Sequence, residues 1–402
     1  MFRKIFYGWW IVLACFFIGL YVGGTIFYGF TAFFEPIRRE FGWSYTQISL
    51  AASLRGLEMG IFAPFVGFLA DRFGSRKLIF WGTLLVGFGL ILLSLTRSLA
   101  MFYGSFLILA FGAGGCASIV TMTVVANWFH SKVSIALGVM VSGIGASGFL
   151  LPLIVRLIDV SGWRTTFVIL GLGMWTLGIP LSFVIRDRPE QYGYLPDGKE
   201  TSNTLPEIAV KNKKLEIGLG QALRMRSFWY LNTIELIRMM TVVAVITHVM
   251  PYLSSLDISR STGGFIAGAI PLFSIIGRFG FGWLGDAIDK RYVLALSFCL
   301  MSIGLLVFCY VQVIWVACVF LLLFSPGYGG GMVVRGAILR EYFGRGSFGK
   351  ILGIIMGCAA VGGIIGPTLA GWVFDILGSY QPIWLIFCGL TGLTALLTLR
   401  IG

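Results

Sequence analysis

The chain has 402 residues, 57% hydrophobic and only 12% charged, with 55 glycines and a net charge of +13. A soluble domain carries about 25% charged residues, so this composition excludes an ordinary soluble protein and defines a membrane one. The positive balance does not mark a nucleic-acid binder, because the Lys and Arg residues form no stripe beyond the loops between apolar runs.

Twelve apolar runs reach the roughly 20 residues needed to cross a bilayer. They lie near 8–34, 45–70, 78–96, 99–127, 132–158, 163–185, 227–255, 261–286, 291–310, 313–340, 348–375 and 379–400. The expected fold class is an all-α membrane protein of twelve transmembrane helices. With the N-terminus placed in the cytoplasm, most Lys and Arg fall in cytoplasmic segments, which satisfies the positive-inside rule and puts both termini inside. Compact loops and short termini suggest a bacterial inner membrane.

The first run follows basic residues but ends in no small-residue cleavage site, so it reads as an uncleaved helix and not a signal peptide. Tyr28 lies on it. Trp9, Trp10, Trp43, Trp128, Trp163 and Trp229 sit near helix ends and read as headgroup anchors. In the second run Arg55 and Glu58 stand at i, i+3, where they can neutralise each other on one helical face. Glu58, about 18 Å into its helix at 1.5 Å per residue, is also a candidate proton carrier.

A loop follows with the order Gly67-Phe68-Leu69-Ala70-Asp71-Arg72-Phe73-Gly74-Ser75-Arg76-Lys77. On the fourth run, Ser118 follows Gly112-Ala113-Gly114-Gly115, which suits close helix packing better than a phosphate loop. Residues 187–226 are the one long polar segment, with Pro189, Pro196, Pro206 and the Lys211-Asn212-Lys213-Lys214 cluster. They read as a cytoplasmic linker between a bundle over 1–186 and another over 227–402.

The seventh run carries Glu235 and Arg238, again at i, i+3, and His248 just before Pro251. Such a histidine could bond a substrate hydroxyl, exchange a proton, or satisfy helix-end carbonyls. Arg278, on the eighth run, has Ser274, Ile275, Phe281 and Gly282 as helical neighbours, none of them acidic. An ionisable residue at such depth costs roughly 2.5–3.5 kcal/mol by insertion scales. Its counter-charge must come from another helix, such as Glu58, or from an anionic ligand. Tyr328 lies on the tenth run, and Arg335 stands near that run's cytoplasmic end, where it can snorkel.

Gly282-Trp283-Leu284-Gly285-Asp286-Ala287-Ile288-Asp289-Lys290-Arg291 repeats the first loop about 215 residues later, with Asp286 equivalent to Asp71. Two related halves of this kind typify secondary transporters. Both loops resemble the signature of the major facilitator superfamily. That resemblance implies two pseudo-symmetric six-helix bundles, a midplane site and alternating access by rocking. It gives Asp71, Arg72 and Asp286 a gating role, the aspartates meeting the positive end of a helix dipole in the opposite bundle. The second copy departs from the signature with Asp289 where glycine is usual. Tyr28, Ser118 and Tyr328 are on helices that line the cavity in this superfamily.

A second resemblance rests on Tyr7-Gly8-Trp9-Trp10 and on Trp128-Phe129-His130-Ser131-Lys132 followed by Gly138 and Gly143. These look like the two signatures of monocarboxylate transporters, whose eighth-helix arginine binds the carboxylate; Arg278 falls on that position. Mammalian members carry a helix-1 lysine where this chain has Tyr28, and an aspartate where it has Ser274, both tied to proton coupling. The oxalate:formate antiporters, a neighbouring family, use a second basic residue on helix 11. Between Ile351 and Phe374 this chain has no Lys or Arg, which favours one carboxylate over two.

The expected substrate is therefore a small monocarboxylate of the lactate or pyruvate kind, moved with a proton by a monomer in the bilayer. Export of larger amphipathic compounds and oxalate:formate-type exchange are the alternatives. The fifth helix lacks the Gly-Pro core of drug:proton antiporters. With two histidines, no paired carboxylates, no metal-ligand cluster and no nucleophile elbow, no enzyme, cofactor or metal is expected.

Overall fold

A computed structural model describes residues 6–54, 56, 66, 69, 72–116, 118–129, 132–193, 219–343 and 348–401. In chain order the helices are α1 (Tyr7–Val22), α2 (Phe34–Phe41), α3 (Tyr45–Ser53), α4 (Ser75–Ser94), α5 (Leu99–Cys116), α6 (Ser118–Trp128), α7 (Val133–Ala146) and α8 (Leu150–Val184). Within the linker lies α9 (Leu219–Ala222), and beyond it come α10 (Arg226–Ser255), α11 (Arg260–Ala287), α12 (Lys290–Phe308), α13 (Ile314–Phe343), α14 (Phe348–Leu377) and α15 (Gln381–Thr398). Among the described residues, 10 helical stretches are long and apolar enough to span a membrane. The longest, Ile135–Val184, joins the fifth and sixth expected spans. Gly162 inside it has φ 77°, a left-handed conformation that glycine adopts without a steric penalty, and turns the chain there. Half of the second span, including Arg55 and Glu58, lies outside the described residues, as does 194–218 of the linker.

Local sequence sets the boundaries. Gly42, at φ 66°, ends α2 in a left-handed cap. Ser44 then opens α3 with a capping box, its hydroxyl accepting from the Gln47 amide while Gln47 Oε1 accepts from the Ser44 amide. The two loop copies differ at equivalent positions. Gly74 has φ 85°, and the Asp187 carboxylate caps α4 by accepting from the Arg76 amide at 2.9 Å. Asp289 instead takes φ −52° and caps α12 itself, accepting from the Arg291 amide and pairing with its guanidinium at 2.9 Å. The hydrogen bonds from Arg291 hold the exposed Asp289 carboxyl below the usual carboxylate range.

Helix pairs α4–α5, α4–α8, α10–α14, α11–α13 and α12–α13 form the main packing seams. Small residues allow the close approach that helix association in lipid exploits. A Cβ at Gly277 on α11 would strike the backbone of Pro326 on α13, whereas one at Gly280 would meet open space. Gly277→Ala is expected to lower the unfolding midpoint of the purified protein, an overpacking penalty of about 1–3 kcal/mol. Gly280→Ala should leave it unchanged or slightly raised; equal midpoints for both would refute backbone contact as the reason for Gly277.

The two aromatic signature stretches turn out to be packing partners. Tyr7 and Trp128 lie 5.5 Å apart, Trp9 meets Phe129 edge-on at 5.1 Å, and a side chain at Gly8 would collide with the Phe129 ring. Trp128 is fully buried and its indole donates to the Arg186 carbonyl at 2.8 Å. Trp163 is also buried, donating to Glu40 Oε2 at 2.7 Å. These two are core residues, which corrects their reading as headgroup anchors. Trp10 and Trp229 are more than half exposed, as anchors require.

Candidate substrate site

α1 does not run straight into α2. A π-helical turn over Gly23–Phe27 is followed by a 3-10 turn over Gly29–Phe33, and the Tyr28 amide bonds to the Gly23 carbonyl at 2.9 Å. Such turns inside a helix change which side chain faces inward. Here the change delivers Tyr28 to the interior, where its hydroxyl meets that of Tyr328 on α13 at 3.0 Å. This bond joins the two halves of the chain at the wall of a central cavity of about 160 Å³. That is room for on the order of ten waters.

Tyr28, Tyr328 and Arg278 line this cavity, and its remaining wall is mostly apolar, with Val22, Phe27 and Val141 among the contributors. Arg278 Nη1 donates to the Val141 carbonyl on α7 at 3.2 Å, while its buried Nε has no hydrogen-bond partner among the described residues. No described acidic residue pairs with this guanidinium. Among the described residues the site therefore offers an incompletely satisfied cation and two hydroxyls on a mostly apolar wall, a combination suited to a small organic anion. Ser118 begins α6, but its side chain lies outside those described, and Glu58 and Asp71 fall outside altogether.

His248 is elsewhere. It is completely buried on α10 and does not line the cavity. Its Nε2 lies 2.9 Å from both the Pro367 carbonyl and Ser49 Oγ, and its Nδ1 lies 2.9 Å from the Tyr380 hydroxyl. Ser49 already donates to the Tyr45 carbonyl. The network thus assigns the proton to Nε2, with Tyr380 donating to Nδ1.

His248 belongs to a larger set of contacts between the halves, all at the end remote from the linker. Asp375, at the foot of α14, accepts from the Tyr45 and Thr46 amides at 2.9 and 2.8 Å and from the Thr46 hydroxyl at 2.6 Å. A carboxylate there sits on the positive end of the α3 dipole. Ser53 meets Thr368 at 3.2 Å, Thr31 accepts from the Met250 amide, and Arg260 pairs with Asp159 at 3.1 Å. Sequence reasoning missed Asp375; its position at the end of a span gave no signal of a partner 330 residues away. At the opposite end Asp286 and Arg72 are exposed.

The charged residues of α10 also differ from expectation. Glu235 and Arg238 do pair, at 2.9 Å between Oε2 and Nε, but Arg335 joins them by bonding to Glu235 Oε1. Only 13% of the Arg335 side chain is exposed. Arg335 therefore does not snorkel; a carboxylate one helix away holds it inside.

With this arrangement in view, the comparisons with known proteins become informative. The profile of the Major Facilitator Superfamily matches residues 9–254 and 239–401. The chain belongs to that superfamily, whose members are transporters and not enzymes. It is similar to monocarboxylate transporter 12 of Xenopus laevis, at 24% identity over 96% of this chain and 87% of that one. Monocarboxylate transporter 13 of Rattus norvegicus is 24% identical over 94% and 85%, respectively. A Bacillus subtilis protein described as an uncharacterized MFS-type transporter, YcxA, is 24% identical over 97% of this chain and 94% of its own length. Among solved structures, a bacterial homolog to the human lysosomal transporter Spinster, in an inward-facing and occupied conformation, superposes with a TM-score of 0.70. It is 14% identical over 99% of this chain and 95% of that one, a likeness of fold.

Proposed function

We propose that the chain carries a small monocarboxylate of the lactate or pyruvate kind across the bacterial inner membrane, together with a proton, as a monomer with both termini in the cytoplasm. The observation that carries this reading is Arg278, a cavity-lining guanidinium whose Nε has no partner, and which has no acidic neighbour, among the described residues. One carboxylate satisfies it, with Tyr28 and Tyr328 within the same cavity to orient the remaining oxygen atoms. The likeness to monocarboxylate transporters over nearly the whole chain supports the same class of cargo.

In this reading the contacts around Asp375 and His248 hold the outer side shut while the anion faces the cytoplasm. Rocking of the bundles breaks them and lets Asp71, Arg72 and Asp286 close the inner side. Glu58 is the proposed proton carrier. The mostly apolar cavity wall also suits the tail of a larger amphipathic compound, which keeps export as the second reading.

Uptake of labelled L-lactate and pyruvate into proteoliposomes separates the two. Symport predicts accumulation that grows as the external pH falls below the internal pH, and that collapses with a protonophore. Uptake indifferent to the proton gradient would reject coupling. Absence of carboxylate flux from folded protein, with flux of an amphipathic compound, would install the exporter instead.

A further inference from the structure

We propose that the Arg238–Glu235–Arg335 cluster is a second carboxylate-binding station on the substrate path, with Arg238 as its ligand. The assignment rests on reading the chain as an anion carrier. Among the described residues the cluster holds two guanidiniums against one carboxylate, a net charge of +1. Tying α10 to α13 needs only a neutral pair, and one guanidinium would provide it. A further buried charge costs several kcal/mol unless something compensates it. Arg238 is 3% exposed, and while its Nε and Nη2 are engaged by Glu235, its Nη1 has no partner among the described residues. The Nε of Arg335 has none either.

The helical register places this surplus charge beside the cavity. On α10, Val242 lines the cavity, and Arg238 and Glu235 follow at i−4 and i−7 on the same face. On α13, Tyr328 and Met332 line it, and Arg335 follows at i+7 from Tyr328. The cluster is thus the next layer of the same wall, roughly 5–6 Å further along the helix axes, toward the end that carries the linker. Gly331 on α13 lies against the cluster: a Cβ there would be in ordinary contact with Arg238 Cδ at 3.6 Å and would press on Ser297 Oγ at 3.0 Å. An anion leaving Arg278 toward that end meets a second cation one turn on, which lowers the barrier to its release.

Net charge gives the test its logic. Arg238→Gln and Arg335→Gln each leave a neutral pair and abolish the surplus. The double variant Glu235→Gln/Arg335→Gln leaves Arg238 alone and restores +1. Crystals of the full chain soaked in sodium bromide should show an anomalous peak against Arg238 Nη1 in the wild type and in the double variant, and none there in either single variant. In proteoliposomes, the half-saturating concentration for labelled pyruvate should rise about tenfold, some 1.4 kcal/mol, in both single variants and return to near wild type in the double.

A wild-type bromide map without a peak at Arg238 overturns the proposal. So does a double variant as impaired as the single ones, since that is what a purely structural tie would give. A peak at Arg278 is read separately: its absence would count against Arg278 as anchor while leaving the Arg238 result intact.

Discussion

Arg278→Gln is expected to abolish carboxylate uptake without unfolding the protein. The guanidinium makes one described hydrogen bond, to a carbonyl, and pairs with no described acid, so among the described residues its removal strands no buried partner charge. On the proposed reading its value lies in the ligand. Truncating one member of a buried charged pair costs about 2–5 kcal/mol, which corresponds to a loss in kcat/KM of roughly 30-fold to several thousandfold. Arg278→Lys should fall between, because an ammonium keeps the charge but loses the planar fork that grips two carboxylate oxygens. Initial uptake rates and the unfolding midpoint together decide the matter. Wild-type uptake in the glutamine variant would reduce Arg278 to a cross-link between α7 and α11. A collapsed midpoint would make it a structural residue.

The second large effect is expected at the contact between the halves. Asp375→Ala deletes all three acceptor bonds to the start of α3 and the carboxylate that faces its dipole. Charged acceptors at a partly buried helix N-terminus contribute up to about 2 kcal/mol, so the closed population should fall by roughly 30-fold relative to the open one. Ser53, 1% exposed beneath this contact, is the reporter. In a cysteine-free background, Ser53→Cys should react slowly with a membrane-impermeant maleimide added outside, and at least tenfold faster once Asp375→Ala is introduced. An unchanged rate would show that the remaining contacts, His248 and Arg260 among them, hold that end closed unaided.

Much of the fold was legible because it is written in composition and period. Apolar runs of bilayer length are unambiguous, and the repeated aspartate loop identifies the superfamily before any coordinate is seen. Arg278 was legible for a related reason: a cation whose helical neighbours are all neutral announces a missing partner. What could not be read were partners across helices. Glu235 and Arg335 are 100 residues apart, and depth alone suggested snorkelling for an arginine that another helix had already engaged. His248 was open between substrate ligand, proton exchanger and partner of helix-end carbonyls; its three partners, from Ser49, Pro367 and Tyr380, include one backbone carbonyl. Tryptophans near helix ends face lipid or core depending on a rotation about the helix axis that span length does not specify. Trp10 and Trp128 fell on opposite sides of that choice.

The embrace of Tyr7-Gly8-Trp9 by Trp128-Phe129 bears on how chains of this kind are sorted. Both stretches owe their composition to each other: a glycine where a ring must lie flat, and rings where the glycine leaves a hollow. They lock the opening of α1 to the end of α6, and none of these side chains lines the central cavity. Kinship inferred from such words is kinship of joinery. Two chains that share them can be built alike and still differ in freight, and it is the lettering of the cavity wall, at Tyr28, Arg278 and Tyr328, that must be compared when cargo is in question.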